Sequence, residues 1–314
     1  MTNGNAVKKS ALSWRGEMLS LLLLGTVVFW AVALSSEAAE YVRSGMRLAV
    51  ECVIPTALPF MIISDLYMAY GRAENLRLLG GLLSRVFGIP MGAIGAFICG
   101  NVAGFPIGAK TCAEAYSMGA IKKEDAERLI PLCNNPSCAF VIGGVGIGMC
   151  GDIRVGFVLL ASVYAATLIC ALLTRTKDNE SVLSSVNIRQ NYNFIDSVKR
   201  SGMSSLSIIS FICVFSAVAG IIKKRVKNAL IIYLFFPLLE VTNAADALTK
   251  TSVFLPSLRL ALVAFSLGFG GVCVGMQSSV FVLGAGLKMK KYYLIKLLEG
   301  LIAASISTLI FSIP

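Results

Sequence analysis

Two short polar breaks, each set inside membrane-length apolar sequence, are where this chain could do chemistry. In the first, Gly100-Asn101-Val102-Ala103-Gly104-Phe105-Pro106-Ile107-Gly108 is followed by Asn134-Asn135-Pro136-Ser137. In the second, Glu240-Val241-Thr242-Asn243 is followed by Gly270-Gly271 and then Gln277-Ser278-Ser279. Asn101 and Asn134 are 33 residues apart, and Glu240 and Gln277 are 37 apart. Backbone without regular hydrogen bonds costs several kcal/mol per group in hydrocarbon, so it persists only where it is buried in protein or lines a wet cavity. Matching breaks in two halves of a chain point to a solute or ion site at mid-membrane.

Each residue has a functional and a structural use. A carboxylate at membrane depth, such as Glu240, is protonated, paired or engaged with a cation, so it could carry a coupling proton or bind an ion. It could equally cap a hairpin by accepting from the backbone amides of Thr242 and Asn243. The amide of Asn101 both donates and accepts. Gly100, Gly104 and Gly108 permit close approach of a ligand or of a neighbouring helix, and Pro106 fixes the turn. Asn134, Asn135 and Ser137 surround Pro136, and a half-helix starting near Ser137 would aim its amides at an anion or a substrate oxygen. Gln277 and Ser278, with Ser279, are the counterparts in the second half. Either set could instead satisfy backbone groups freed by the breaks. Asp65 is expected to pair with Arg72 or Arg77, and Lys110 to neutralise Glu240 or Glu114 or to snorkel to the surface. Gly104–Thr111 ends Gly-Ala-Lys-Thr, but Ala109 stands where a phosphate-binding loop needs Gly, and no strand precedes it.

Composition sets the solvent. The chain has 314 residues, 56% hydrophobic and 14% charged, with mean hydropathy +0.79, which is a membrane protein's profile. The net charge of +11 lies in short loops beside apolar runs, the distribution that anionic headgroups select, so lipids rather than nucleic acid are the expected partners. The absence of histidine removes His-based zinc sites, Ser-His-Asp and Cys-His triads and His proton relays. Nine cysteines form no C-x-x-C pair, and Asp65 and Asp246 lack a paired aspartyl-protease motif. No enzyme activity, metal or cofactor is expected.

The elements that must position these residues follow from the apolar runs. Lys8, Lys9 and Arg15 precede an uncleaved first span at about 17–36, and an amphipathic stretch with Glu37, Glu40, Arg43 and Arg47 completes an N-terminal unit, 1–45. A first repeat, 46–174, holds a span at about 46–71 kinked by Pro55 and Pro59. It continues with a re-entrant hairpin over 89–120, a helix from Lys122-Lys123-Glu124-Asp125 broken at 134–137, and a span at about 154–174. A polar linker, 175–201, separates it from a second repeat, 202–314. That repeat reads as a span at about 202–222, a short apolar pair broken at Glu240–Asn243, a helix over 257–287 interrupted near Gly268–Gly275, and a last span at about 292–312. The fold class is all-α, a polytopic membrane protein of two inverted repeats, each with a re-entrant hairpin and a broken helix, plus an N-terminal transmembrane helix. With a cytoplasmic N-terminus, 19 of the 28 Lys and Arg fall inside, which the positive-inside rule favours. The basic cluster at 223–227 then lies outside, against the rule.

Gly104-Phe105-Pro106-Ile107-Gly108-Ala109-Lys110, Cys133-Asn134-Asn135-Pro136-Ser137, Leu239-Glu240-Val241-Thr242-Asn243 and Phe269-Gly270-Gly271 with Gln277 resemble the YlbJ-type sporulation integral membrane proteins. Pro55-Thr56-Ala57-Leu58-Pro59-Phe60 is similar to that family's first broken span, and the resemblance runs over roughly residues 45–312. The family is placed in the wider nucleoside recognition (Gate) group, with spore maturation membrane proteins and the gate regions of ferrous iron transporters. The pattern departs at Phe105, where Tyr is usual, at Ala244, where Gly is expected, and at Cys138, where Pro would be unsurprising. The resemblance implies a multi-pass cell-membrane protein of endospore formers, needed for spore formation. Its transporter-like fold would bind or move a small polar solute or ion. The alternative is a non-transporting membrane factor for spore envelope (cortex and coat) assembly, acting as a homo-oligomer or with other spore membrane proteins.

Overall fold

Backbone groups at membrane depth must be satisfied within the chain, and the computed structural model of the protein is helical in that sense: no strand occurs among the described residues, 35–70, 77–175 and 193–312. The expected first span at 17–36 lies almost wholly outside them, as does most of the expected linker at 175–201. Among the described residues, five helices are long and apolar enough to cross a membrane: Ser36–Tyr67, Ile153–Leu173, Phe194–Arg225, Pro256–Gly284 and Lys290–Phe311. The chain is a multi-pass membrane protein.

The amphipathic stretch that begins with Glu37 is not a separate surface helix. Helix α1 (Ser35–Leu48) runs through a π-wound stretch, Ala49–Val53, directly into α2 (Ile54–Tyr70). Prolines 55 and 59 remove backbone donors from this region, and the Thr56 hydroxyl donates to the carbonyls of Cys52 and Val53, each at 2.9 Å. What draws α1 inward is α9 (Phe194–Arg225). Gly45 faces Ser216, Gly220 faces the ring of Tyr41, and Lys224 meets Glu37 at 2.5 Å. Helix α9 starts with a reciprocal cap between Asn193 and Asp196 and ends with Lys223, Lys224 and Arg225 in its last turn, where cations suit the helix dipole.

The first polar break lies in a set of short helices. Helix α3 (Arg77–Phe87) meets the segment leading into α4 (Ile94–Ala103) at 114°, turning at Gly88 with φ +64. Arg128 holds this bend. Only 3% exposed, it donates to the carbonyls of Phe87 and Gly88, the C-terminal end of α3. The chain then turns at Gly104-Phe105-Pro106 into α5 (Ile107–Ser117), and α6 (Lys123–Cys133) follows. Gly100 and Gly108 press together and against the Cys133 carbonyl, so the packing use of these two glycines is realised. After the 134–137 break come α7 (Phe140–Met149, π-wound) and α8 (Ile153–Leu173), the latter capped by Asp152.

In the second half α10 (Ala229–Leu239) and α11 (Val241–Lys250) are separated by Glu240 alone. Helix α12 (Pro256–Phe269) ends at the left-handed Gly270, α13 (Gly271–Gly284) begins at once, and α14 (Lys290–Phe311) closes the chain. The interruption expected over Gly268–Gly275 is thus a single residue. The halves share one core: Phe140, Leu159 and Val163 interleave with Val241, Leu267 and Val274. Around it, Lys123 donates to the Gly286 carbonyl at 3.1 Å and the Lys288 amide donates to Glu127 at 3.2 Å. These bonds bring the start of α6 to the turn between α13 and α14.

The tightest contact in the fold yields a test. A Cβ on Gly108 would stand 1.8 Å from the Cys133 carbonyl oxygen, whereas one on Gly202 would meet nothing within 4 Å. Gly108→Ala is expected to lower stability by about 1–3 kcal/mol. Gly202→Ala is expected to leave it unchanged or slightly raised. Thermal unfolding of the detergent-purified variants measures both.

Candidate functional site

Asn134 and Asn135, at the end of α6, face different neighbours. Asn134 donates to Ser278 Oγ of α13 at 2.9 Å and to Tyr292 Oη of α14 at 2.8 Å, and its Oδ1 accepts from the Ala109 amide of α5 at 3.3 Å. Asn135 donates to Asn101 Oδ1 at 2.9 Å, to Thr167 Oγ1 at 3.0 Å and to the Leu132 carbonyl at 3.1 Å. Its own Oδ1 accepts from Lys296 Nζ at 2.7 Å. Lys296 lies 3.0 Å from Glu299, whose other oxygen accepts from Thr167, and both charged side chains are fully buried. Asn101 completes the web: its side chain donates to the Phe97 carbonyl at 2.8 Å, and its carbonyl accepts from Tyr164 Oη at 2.5 Å. Cys138 Sγ lies 2.9 Å from the same Tyr164 hydroxyl.

Lys296 and Glu299 were not legible as site residues. Counting basic residues near span ends places Lys296 among the cytoplasmic surface charges, but the structure buries it. The available signal was local. Tyr292, Lys296, Glu299, Gly300, Ala303 and Ser307 recur at helical spacing inside an apolar run and form the buried face of α14. A Lys three residues before a Glu on such a face is a paired intramembrane charge. Thr167 and Tyr164, on α8, carried no comparable signal.

The second polar group surrounds Glu240, which has the extended backbone of a helix N-cap (φ −153, ψ 127). Its Oε1 accepts from the Thr242 amide at 2.8 Å, and its Oε2 accepts from the Asn243 amide and from Asn243 Nδ2, both at 2.7 Å. Asn243 Nδ2 also reaches Ser216 Oγ at 2.7 Å. The capping use of Glu240 is therefore present. Ser137 caps in the same manner, accepting from the Phe140 amide at 3.1 Å.

The Glu240 group borders a cavity of about 30 Å³, which the web around Asn134 and Asn135 does not line. Gly104 and Ser137 of the first half and Glu240, Thr242 and Gln277 of the second line it, with Val53, Ala57, Phe140 and Ile208 among its apolar walls. Gln277 is 4% exposed. Its Nε2 lies 3.4 Å from Cys273 Sγ, and its Oε1 is buried with no hydrogen-bond partner. Of the eleven residues expected at the site, five line this cavity. Asn101, Asn134, Asn135 and Ser278 form the adjoining web, Asn243 braces Glu240, and Pro106 is buried as the N-cap of α5. Ser279 turns away to the Met276 carbonyl. Lys110 does not neutralise Glu240: it lies 3.6 Å from Asp65, which also stands 3.5 Å from Arg200, while Arg200 reaches Glu114 at 3.3 Å. Arg72 lies outside the described residues.

The buried pair gives a prediction. Removing one partner of a buried ion pair leaves the other charge uncompensated and typically costs about 3–5 kcal/mol. Lys296→Met and Glu299→Met are each expected to lower the unfolding temperature markedly, and the double variant less than the sum of the two. Thermal unfolding of the four proteins as a double-mutant cycle measures the coupling.

No protein-family model matches the chain, and no solved structure matches it. A comparison with curated proteins does find a relative, which supports the resemblance to the YlbJ type. The chain is similar to the sporulation integral membrane protein YlbJ of Bacillus subtilis (strain 168), 26% identical over an alignment of 310 residues covering 84% of this chain and 75% of that protein.

Proposed function

We propose that this chain is an integral membrane protein of spore formation that binds, and moves, a small polar solute or ion at the cavity between its two halves. One observation carries the reading: polar residues far apart in sequence line one cavity, with a buried acceptor, Gln277 Oε1, left open. An unsatisfied buried polar atom costs about 1–3 kcal/mol, so a bound partner that satisfied it would be stabilised there. The similarity to a sporulation integral membrane protein supports the cellular setting.

The reading includes inverted repeats of the nucleoside recognition (Gate) kind, each with a re-entrant hairpin and a broken helix. Reciprocal packing supports it. Helix α5 packs on α13 as α11 packs on α7, and α14 packs on α6 as α8 packs on α12. Such exchange is what a pseudo-two-fold relation between halves generates. A cytoplasmic N-terminus also belongs to this reading. With Lys296 and Arg128 buried, the inside count of basic residues falls by two, to 17, still well above the 9 outside.

The test replaces the resident copy in an endospore-forming host with Glu240→Gln, which keeps the side chain's shape but removes the ionisable carboxylate and turns one of its two accepting oxygens into a donor. Spores with normal membrane levels of the variant are expected to lose heat resistance. Fully resistant spores would favour a membrane factor for envelope assembly in which the cavity is structural.

A further inference from the structure

Two carboxylates are fully buried among the described residues, and they are served differently. Glu299 has Lys296 at 3.0 Å. Glu240, 2% exposed, receives three hydrogen bonds from Thr242 and Asn243, all neutral donors, and no basic side chain pairs with it among the described residues. Three converging N–H groups suit an ionised carboxylate, but they bring no positive charge to a depth where an uncompensated one is costly. The open polar atom on a residue of the same cavity lining is also an acceptor, Gln277 Oε1. The web around Asn134 and Asn135, in contrast, supplies its own cation in Lys296 and leaves none of the atoms named above open.

We infer that the cavity bounded by Ser137, Glu240, Thr242 and Gln277 is a binding site for a monovalent cation. The inference rests on the binding reading above and names the ligand class for the same site. A carboxylate, an amide oxygen and two hydroxyls make a hard oxygen set carrying one negative charge, which one alkali or ammonium ion neutralises. Calcium takes six to eight oxygens, and magnesium requires an octahedral shell in which it keeps several waters, more than this small oxygen set and volume supply. No group of three or more Cys, Asp or Glu side chains able to hold a metal occurs among the described residues. The volume agrees. About 30 Å³ exceeds the roughly 10–15 Å³ that one water-sized occupant requires. It is far below the 300 Å³ or so of a pocket for a larger organic ligand.

The experiment is thermal unfolding of the full-length, detergent-purified chain at constant ionic strength. Choline chloride is the reference, replaced stepwise by sodium, potassium or ammonium chloride, with uridine as a separate neutral probe. A ligand bound only by the folded state stabilises it as RT ln(1 + [L]/Kd). At least one small cation is expected to raise Tm over choline in a saturable manner. Gln277→Ala should weaken that cation's apparent affinity about tenfold, equivalent to 1.4 kcal/mol, and Glu240→Gln should abolish the shift. If Glu240→Gln does not fold, Gln277→Ala alone decides. Equal Tm in all four salts, or a shift that survives the variants, overturns the cation assignment. If uridine then stabilises the wild type but not Gln277→Ala, the binding reading stands and only the ligand class falls. If nothing stabilises the protein, both fall.

Discussion

The contact on which the rest of this architecture depends is the bond from Lys296 Nζ to Asn135 Oδ1. Lysine can only donate, so it fixes which end of the Asn135 amide faces α14 and turns the Nδ2 toward Asn101 and Thr167. That choice makes Asn101 Oδ1 an acceptor and leaves the Asn101 amide nitrogen to the carbonyls of Phe97 and Leu132. One buried charge thus orients a polar chain from the last helix, through the α6–α7 break, to α4 beside the Gly104 turn. The charge is affordable because Glu299 lies on the same face of α14, one turn on.

The two polar centres divide the work. Around Asn134 and Asn135, side chains from both halves satisfy one another and lock α5, α6, α8, α13 and α14 together. Around Glu240, the carboxylate caps α11 and shares the cavity with Gln277, whose oxygen remains open. A rigid, satisfied web beside a small unsatisfied space is the arrangement expected where a site must be held in place without being filled by its own scaffold. The glycines at 100 and 108 serve the first purpose by letting the α4–α5 turn seat against the Cys133 carbonyl. Gly104, with φ +87, serves the second by standing at the cavity wall.

Much of the helical plan was legible because hydropathy and helix breakers act locally. The α8 span lies within a residue of its expected limits, and the breaks fall at Gly104–Pro106, after Cys133, at Glu240 and at Gly270. Two features were less legible, for physical reasons. The stretch beginning at Glu37 is amphipathic as read, but only the structure shows that Gly45 and Gly220 let it lie along α9 as part of one long helix. Lys296 reads as a flanking charge because hydropathy averages do not see that Glu299 neutralises it.

By itself, the sequence determined that this is an all-helical, multi-pass membrane protein with polar breaks in both halves, because those properties follow from run length, charge and the backbone demands of hydrocarbon. Only the tertiary structure decided which polar residues complete one another and which remain open. That division depends on helices more than a hundred residues apart: Asn134 on Ser278 and Tyr292, Asn135 on Lys296, and Ser137 facing Glu240 and Gln277 across one cavity. A side chain's spare hydrogen bond is defined by its neighbours in space, and no local pattern in the chain encodes them.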